Sequence, residues 1–197
     1  MKKLFSHIKF NAPVTLGFVM ACAAALLLDK VTGGWASRHL FSTYRSGLLN
    51  PLTYVRAFGY TIGHANWEHF ASNIIYILLL GPLVEEKYGS RNLLEMMGIT
   101  AVITAIVHAL LSSNVALLGA SGIVFMLIIL SSISNVKSGE IPITFIIVCV
   151  IFIGGQIVDS FKADSISQLA HIVGGICGGC FGLFLIGHEK DGRKASS

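Results

Sequence analysis

A serine and a histidine stand near the beginnings of two apolar stretches of the chain. Ser121 opens the stretch that runs to residue 135, and His171 lies near the start of the stretch 167–187. A neutral imidazole beside a serine hydroxyl can take its proton during attack on a carbonyl carbon, which is the chemistry of acyl transfer. Asp159 and Asp164 read as loop residues, so no carboxylate accompanies the pair. We therefore predict a Ser-His dyad rather than a triad.

Two further polar side chains are placed to stabilise negative charge. His69 and Asn73 are four residues apart, so they share one face of a helix, and both can donate hydrogen bonds. Together with the backbone N–H of Ser121 they are predicted to form an oxyanion hole. His64 precedes His69 by five residues and is assigned to the loop or first turn. A metal site on the two histidines lacks a third ligand at helical spacing, so neither a metal nor a cofactor is expected.

Each of these signals has a plainer interpretation when it is taken alone. Gly119 and Gly122 flank the serine, and such small-residue clusters often serve only helix packing. A single histidine in a membrane span can simply form a hydrogen bond to a neighbouring helix. His108 reads as a packing histidine and is the reserve candidate for the base. What favours catalysis is a four-residue repeat beside His171, formed by Ala170, Gly174, Gly178 and Gly182. A helix with this bare face can approach a partner closely, and if the partner carries Ser121, the two side chains meet.

The composition indicates an integral membrane protein. Of 197 residues, 54% are hydrophobic and 12% are charged, and the mean hydropathy is +0.75, which excludes an ordinary soluble domain. We predict an all-α protein with a single membrane domain over residues 1–197. Its expected membrane-spanning helices are 12–30, 66–84, 92–112, 121–135, 142–160 and 167–187. A long loop between the first two carries aromatic and basic residues suited to the membrane interface.

Basic residues cluster in alternate connections, which predicts that both termini are cytoplasmic. The net charge of +4 mostly reflects this bias, so nucleic acid is not an expected partner. With that topology His69, Ser121 and His171 all fall near the outer ends of their helices. From Ser121 to Ser134 a helix covers only about 20 Å of a hydrocarbon core of ~30 Å. Ser121 is therefore expected at a buried helix N-terminus, where free N–H groups and the helix dipole stabilise an oxyanion.

These residues together resemble the rhomboid intramembrane proteases. The motifs that carry the resemblance are, in chain order, Arg56; His64-x4-His69-x3-Asn73; Gly81-Pro82-Leu83-Val84-Glu85 with Gly89-Ser90; Gly119-Ala120-Ser121-Gly122; and Ala170-His171-x2-Gly174-x3-Gly178. The resemblance implies a six-helix bundle with a water-filled cavity, in which Ser121 is the nucleophile and His171 the base. It also implies that His69, Asn73 and the Ser121 amide form the oxyanion hole. The implied reaction is peptide-bond hydrolysis in or near the transmembrane segment of a protein substrate, and we expect a multi-pass protein of a bacterial inner membrane.

Two positions depart from the family pattern. Val55 replaces the tryptophan that usually precedes Arg56, which bears on how the first loop is anchored. Phe125 stands where many members have a tyrosine that packs on the catalytic histidine, so stacking is expected without the hydroxyl. The compact chain equally suits the rhombosortase branch, which processes C-terminal sorting tails. A non-catalytic rhomboid-like protein that binds transmembrane helices and a secondary transporter are the alternatives of other classes.

Overall fold

The computed structural model of the protein describes residues 11–111, 115–133 and 165–194, with five isolated residues between 143 and 151. In the last of these ranges side chains are described for residues 168–185. Over the described residues the protein is all-α. Its helices are α1 (Pro13–Val31), α2 (Trp35–His39), α3 (Pro51–Gly59), α4 (Trp67–Tyr88), α5 (Ser90–Leu111), α6 (Ser121–Ile133) and α7 (Ser165–Lys194), with a 3₁₀ turn at Tyr60–Ile62.

Four of these helices are long and apolar enough to cross a membrane: α1, α4, α5 and the part of α7 from Gln168 to Leu185. They expose many large apolar side chains, such as Met20, Leu79 and Leu110. Lipid is the solvent that accepts such a surface, so the protein is an integral, multi-pass membrane protein. Most of the predicted span 142–160, with residues 134 and 135 of the span before it, lies outside the described residues. Ile143, Ile146, Ile147, Val150 and Ile151 are helical and exposed.

Helix α4 extends beyond the predicted membrane span 66–84, because it continues through Pro82 to Tyr88. Membrane helices tolerate an internal proline because neighbouring groups can satisfy the backbone carbonyl that it leaves free. The extension includes Glu85, whose side chain is buried and only 4% exposed.

Glu85, near the end of α4, connects this helix to the starts of α1 and α5. Its carboxylate accepts hydrogen bonds from the backbone N–H groups of Val14 and Thr15 at 2.9 Å, from the Thr15 hydroxyl at 2.7 Å and from the Ser90 hydroxyl at 2.7 Å. These donors belong to the first turns of α1 and α5, where backbone N–H groups lack intrahelical acceptors. A carboxylate there also complements the positive end of the helix dipole. The start of α1 is therefore fixed to the end of α4, and the two helices run antiparallel.

Helix α6 lies at the centre of the bundle, and at two glycines of α7 the backbones of α6 and α7 are in direct contact. Its side chains from Ile123 to Leu130 are all buried. A β-carbon on Gly174 would collide with the Gly122 carbonyl group, and one on Gly178 would collide with the Met126 carbonyl group. These contacts ascend both helices in the same direction, so α6 and α7 run parallel with their N-termini at one end. That end, which also holds the start of α4, is called the site end below.

The long connection between α1 and α4 contains two short helices and the 3₁₀ turn. Its outer surface exposes Trp35, Leu49 and Tyr54, a pattern that suits the membrane interface. Its anchor is Arg56, which is 4% exposed and donates from Nε to the His39 carbonyl oxygen at 2.9 Å. The same guanidinium lies 4.5 Å above the centre of the Tyr44 ring. Val55, where the family has tryptophan, is largely exposed and takes no part in this anchor.

Candidate active site

The turn before Ser121 is built from backbone hydrogen bonds to the α1–α4 connection. Thr43 and Leu117 form an antiparallel bridge, with both N–H···O distances at 2.8 Å. The N–H of Gly119 donates to the Tyr60 carbonyl oxygen at 2.9 Å. Gly119 has a φ of +128°, a backbone conformation that side chains disfavour. These contacts fix where α6 begins.

Ser121 occupies the first turn of α6. The carbonyl oxygen of Ala120 accepts the Val124 N–H at 3.0 Å, which is the first hydrogen bond of the helix. Helix geometry leaves the N–H of Ser121 without an intrahelical acceptor. Ser121 is half-buried, between the fully buried Ala120 and Gly122. The hydroxyl and a free amide are thus presented together at the site end, in a position where the helix dipole favours negative charge.

His69 lies directly on this turn. A β-carbon built on Gly119 would stand 2.7 Å from Cε1 and 2.8 Å from Nε2 of the His69 ring, so only glycine fits there. The register of His69 is set by Asn66, whose side-chain oxygen accepts the His69 backbone N–H at 2.8 Å and caps α4. The imidazole therefore reaches the turn of the serine from a neighbouring helix.

Asn73 lies one helical turn below His69 and is buried. Its Nδ2 donates to the His69 backbone carbonyl oxygen at 2.9 Å. This bond uses one of the two hydrogens of the amide group, so the other remains for a further acceptor. The side chain is directed back toward the start of α4, where His69 meets Gly119.

His171 reaches α6 from α7. Its ring stacks on that of Phe125, with centroids 4.4 Å apart and planes 6° apart. Phe125 is one turn beyond Ser121, so the two share a face of α6. The backbones are close as well, because a β-carbon on Gly122 would lie 3.3 Å from the Ala170 carbonyl oxygen. The neighbours of Ser121 and His171 in sequence are therefore in contact.

His64 lies in the connection before α4 and packs edge-on against two rings, those of His69 at 5.1 Å and Phe70 at 5.5 Å between centroids. Its Nδ1 is 3.2 Å from the Ile62 carbonyl oxygen, which assigns the proton to that nitrogen. Burial, reinforced by the charge of His69, lowers the pKa of His64 to about 4. The side chain is 1% exposed, so the structure favours its neutral form.

Seven of the predicted residues lie around the first turn of α6: His64, His69, Gly119, Ser121, Gly122, Phe125 and His171. Asn73 lies one helical turn from His69 and bonds to its carbonyl oxygen. Arg56 anchors the α1–α4 connection, and Gly174 and Gly178 serve the packing of α7. His108 is 1% exposed, and its Nε2 donates to the Val115 carbonyl oxygen at 2.8 Å, so the side chain links α5 to the α5–α6 connection. Among the described residues no group of three His, Cys, Asp or Glu side chains could hold a metal ion.

Sequence reasoning missed Tyr60, Thr43 and Leu117, which position the turn. They act through backbone N–H and carbonyl groups, which every residue type except proline possesses, so no residue pattern distinguishes them.

The family model of the Rhomboid domain matches residues 51–188. The chain belongs to the rhomboid family. The match begins at α3, and it includes every residue of the candidate site.

Two curated relatives are similar over this region. Rhomboid-like protein 11, chloroplastic, of Arabidopsis thaliana is 28% identical over 133 residues, which cover 60% of this chain and 48% of the relative. Rhomboid-related protein 1 of Caenorhabditis elegans is 32% identical over 140 residues, which cover 64% of this chain and 38% of the relative. The similarity thus spans less than half the length of each of these relatives.

Proposed function

We propose that this rhomboid protein is an intramembrane serine endopeptidase that cleaves peptide bonds in or near transmembrane segments of membrane protein substrates. The observation that carries the proposal is the stacking of His171 on Phe125, one turn from Ser121 on the same face of α6. It is supported by the contact between Gly122 and Ala170, which draws the backbones beside the serine and the histidine together. The Ser121 hydroxyl and the His171 imidazole, which reaches this turn from α7, would act as the nucleophile and its base.

In this mechanism the Ser121 oxygen attacks the scissile carbonyl carbon while His171 takes the hydroxyl proton. The carbonyl oxygen becomes an oxyanion, which accepts hydrogen bonds from the Ser121 N–H and from the side chains of His69 and Asn73. His171 then gives its proton to the leaving amine as the C–N bond breaks. A water molecule, activated by the same imidazole, hydrolyses the acyl-enzyme and restores the serine.

The membrane setting follows from the same elements. The spacing of basic residues supports cytoplasmic termini, so the site end would face the outer side of a bacterial inner membrane. The whole chain would act as one membrane domain, with the bilayer and a transmembrane substrate as its partners.

Two single substitutions test the proposal. Ser121→Ala and His171→Ala should each abolish cleavage of a transmembrane substrate in liposomes while the protein stays folded. A fluorophosphonate probe should label the wild-type protein and fail to label Ser121→Ala. The matched control is Ser132→Ala, which removes a hydroxyl that bonds to the Ile128 carbonyl oxygen in the last turn of α6. Its labelling and cleavage should equal those of the wild type.

A Ser121→Ala protein that still cleaves the substrate would refute the dyad. A wild-type protein that neither cleaves nor reacts with the probe would point instead to a non-catalytic role in binding transmembrane helices.

A further inference from the structure

A continuous groove runs between α5 and α7. It joins two cavities of about 440 and 280 Å³, which share Ile99, Cys180 and Phe181. The first cavity begins at Asn92, and the second reaches Val107 on the same helix. A helix rises 1.5 Å per residue, so the groove is about 22 Å long. One leaflet provides about half of a hydrocarbon core of ~30 Å, so the groove is long enough for the acyl chain of a lipid.

The walls of the groove are apolar along most of its length. Ile99 and Ile103 form the α5 side, and Ile176 and Phe184 belong to the α7 side. All four side chains are exposed, so the groove is open to the bilayer. An acyl chain is the ligand that matches such walls.

The end of the groove at Asn92 is polar and carries both signs of charge. Glu95 lines this end, and one of its carboxylate oxygens accepts a hydrogen bond from Arg91 Nε at 2.8 Å. This bond leaves the second oxygen and the terminal guanidinium nitrogens available. Asn92 donates one amide hydrogen to the Tyr88 carbonyl oxygen at 2.7 Å and keeps the other. Charged groups in a membrane span are costly unless they are paired, so this end favours a ligand that is itself charged.

We propose that this groove binds phosphatidylethanolamine, with one acyl chain between α5 and α7 and the head group at Arg91, Asn92 and Glu95. The lipid phosphate accepts hydrogen bonds from the guanidinium and the amide, and the lipid ammonium donates to the carboxylate. Phosphatidylglycerol would bring a negative charge to Glu95 without a positive one. Phosphatidylcholine has a quaternary ammonium without an N–H, so it cannot donate to this carboxylate. The opposite charges on the protein therefore favour a zwitterionic lipid with a primary ammonium.

The head group would lie at the end of the bundle opposite the site end. Helix α5 starts at Ser90, directly after α4 ends at Tyr88, and the start of α4 is at the site end. With the termini in the cytoplasm, the bound lipid belongs to the cytoplasmic leaflet. Neither the groove nor its polar end includes a residue of the candidate active site, so the lipid site does not depend on the proposed protease function.

Lipid retention measures the head-group preference. The protein is equilibrated in micelles that contain equal amounts of phosphatidylethanolamine, phosphatidylcholine and phosphatidylglycerol with identical acyl chains, and native mass spectrometry identifies the lipid that stays bound. The wild type should retain phosphatidylethanolamine about 10-fold over phosphatidylcholine, a ratio that a hydrogen bond to a charged group can supply. Glu95→Gln should lose most of this preference. Glu86→Gln changes an exposed glutamate of α4 that does not line the groove, and it should keep the preference.

Photochemical cross-linking measures the position of the acyl chain. Phosphatidylethanolamine with a photoreactive group at the end of one chain should cross-link to the peptides that contain Ile103 and Ile176. Cys180→Phe places a ring in the groove and should reduce this cross-linking. Leu183→Phe adds the same ring on an exposed part of α7 that does not line the groove, and it should leave the cross-linking unchanged.

Equal retention of phosphatidylethanolamine and phosphatidylcholine by the wild type would refute the head-group assignment, and so would an undiminished preference in Glu95→Gln. A preference for phosphatidylglycerol would also refute it, because the basic residues would then act without Glu95. Cross-links spread evenly over all lipid-facing helices would refute the groove as the binding site. A wild type that binds phosphatidylethanolamine selectively but hydrolyses no substrate would refute the protease function and leave the lipid site intact.

Discussion

The imidazole of His171 lies parallel to the phenyl ring of Phe125, with centroids 4.4 Å apart and planes 6° apart. In a Ser-His-Asp triad a carboxylate fixes the orientation of the imidazole. Here a flat aromatic contact, made one helical turn from Ser121, restricts the rotation of the ring. In the proposed dyad Phe125 therefore takes over the orienting role without carrying charge.

The orienting role of Phe125 can be measured. Phe125→Leu keeps an apolar side chain but removes the stacked ring, an interaction worth about 0.5–1.5 kcal/mol. We expect kcat to fall roughly 2-fold to 10-fold, whereas Phe125→Tyr should retain the rate because it retains the ring. Equal losses in both variants would show that the stacking does not orient the base.

The contact between α6 and α7 gives a pair of matched glycine variants. Gly174→Ala places a methyl group against the Gly122 carbonyl, and such overpacking costs about 1–3 kcal/mol of unfolding free energy. Gly175→Ala meets only the Ile129 side chain at 3.6 Å, an ordinary contact, and should be neutral or slightly stabilising. Unfolding in mixed micelles measures the unfolding free energy of both variants. Similar stabilities for the two variants would contradict the packing described here.

The side-chain amide of Asn73 is predicted to stabilise the oxyanion rather than to bind the substrate. Asn73→Ala should lower kcat by about 10²–10³, the usual effect of losing one such donor, with a small change in KM. A transition-state analogue should lose affinity by a similar factor. If the variant changes only the melting temperature, Asn73 serves only the helix that it bonds to.

The carboxylate of Glu85 is predicted to stabilise the bundle and to take no part in catalysis. Glu85→Gln replaces an acceptor of four hydrogen bonds, and mismatched buried groups of this kind cost about 1–3 kcal/mol. The neighbouring Glu86 is exposed, so Glu86→Gln is a matched control that should unfold like the wild type. Chemical unfolding compares the stabilities of the two variants. A Glu85→Gln protein that is as stable as the wild type but has a lower kcat would contradict a purely structural role.

Protonation of His64 should destabilise the protein in acid. Its pKa falls from 6.5 to about 4 on folding, so between these values the unfolded chain binds the proton more readily. The contribution to stability is complete above pH 6.5 and is lost as the pH falls toward 4. His64→Phe keeps the packed ring and should flatten this part of the stability profile. A variant profile as steep as that of the wild type would exclude His64 as the titrating group.

Much of this site could be predicted from residue types. Polar side chains in apolar helices are costly, so His69, Asn73, Ser121 and His171 were conspicuous, and the glycine spacing before and after position 174 indicated a close helix contact. Lipid-facing segments also carry a strong compositional signal, which does not specify that α4 continues to Tyr88.

Other features left no trace in residue types. The bridge of Thr43 to Leu117 and the bond of Gly119 to Tyr60 use backbone groups across long sequence separations. The short helices α2 and α3 depend on packing against the bundle, which outweighs local propensity in such short segments. The bond of His108 to the Val115 carbonyl oxygen depends on the path of a connection that sequence alone does not specify.

The contact between Gly122 and Ala170 joins two parts of the chain that are synthesised at different times. A ribosome makes α6, with its serine, some fifty residues before the histidine of α7. On the proposed mechanism the nascent chain has no base until α7 enters the membrane and settles against its partner. Hydrolytic activity then requires α7 to be in place beside α6, so the chain is inactive until this contact has formed.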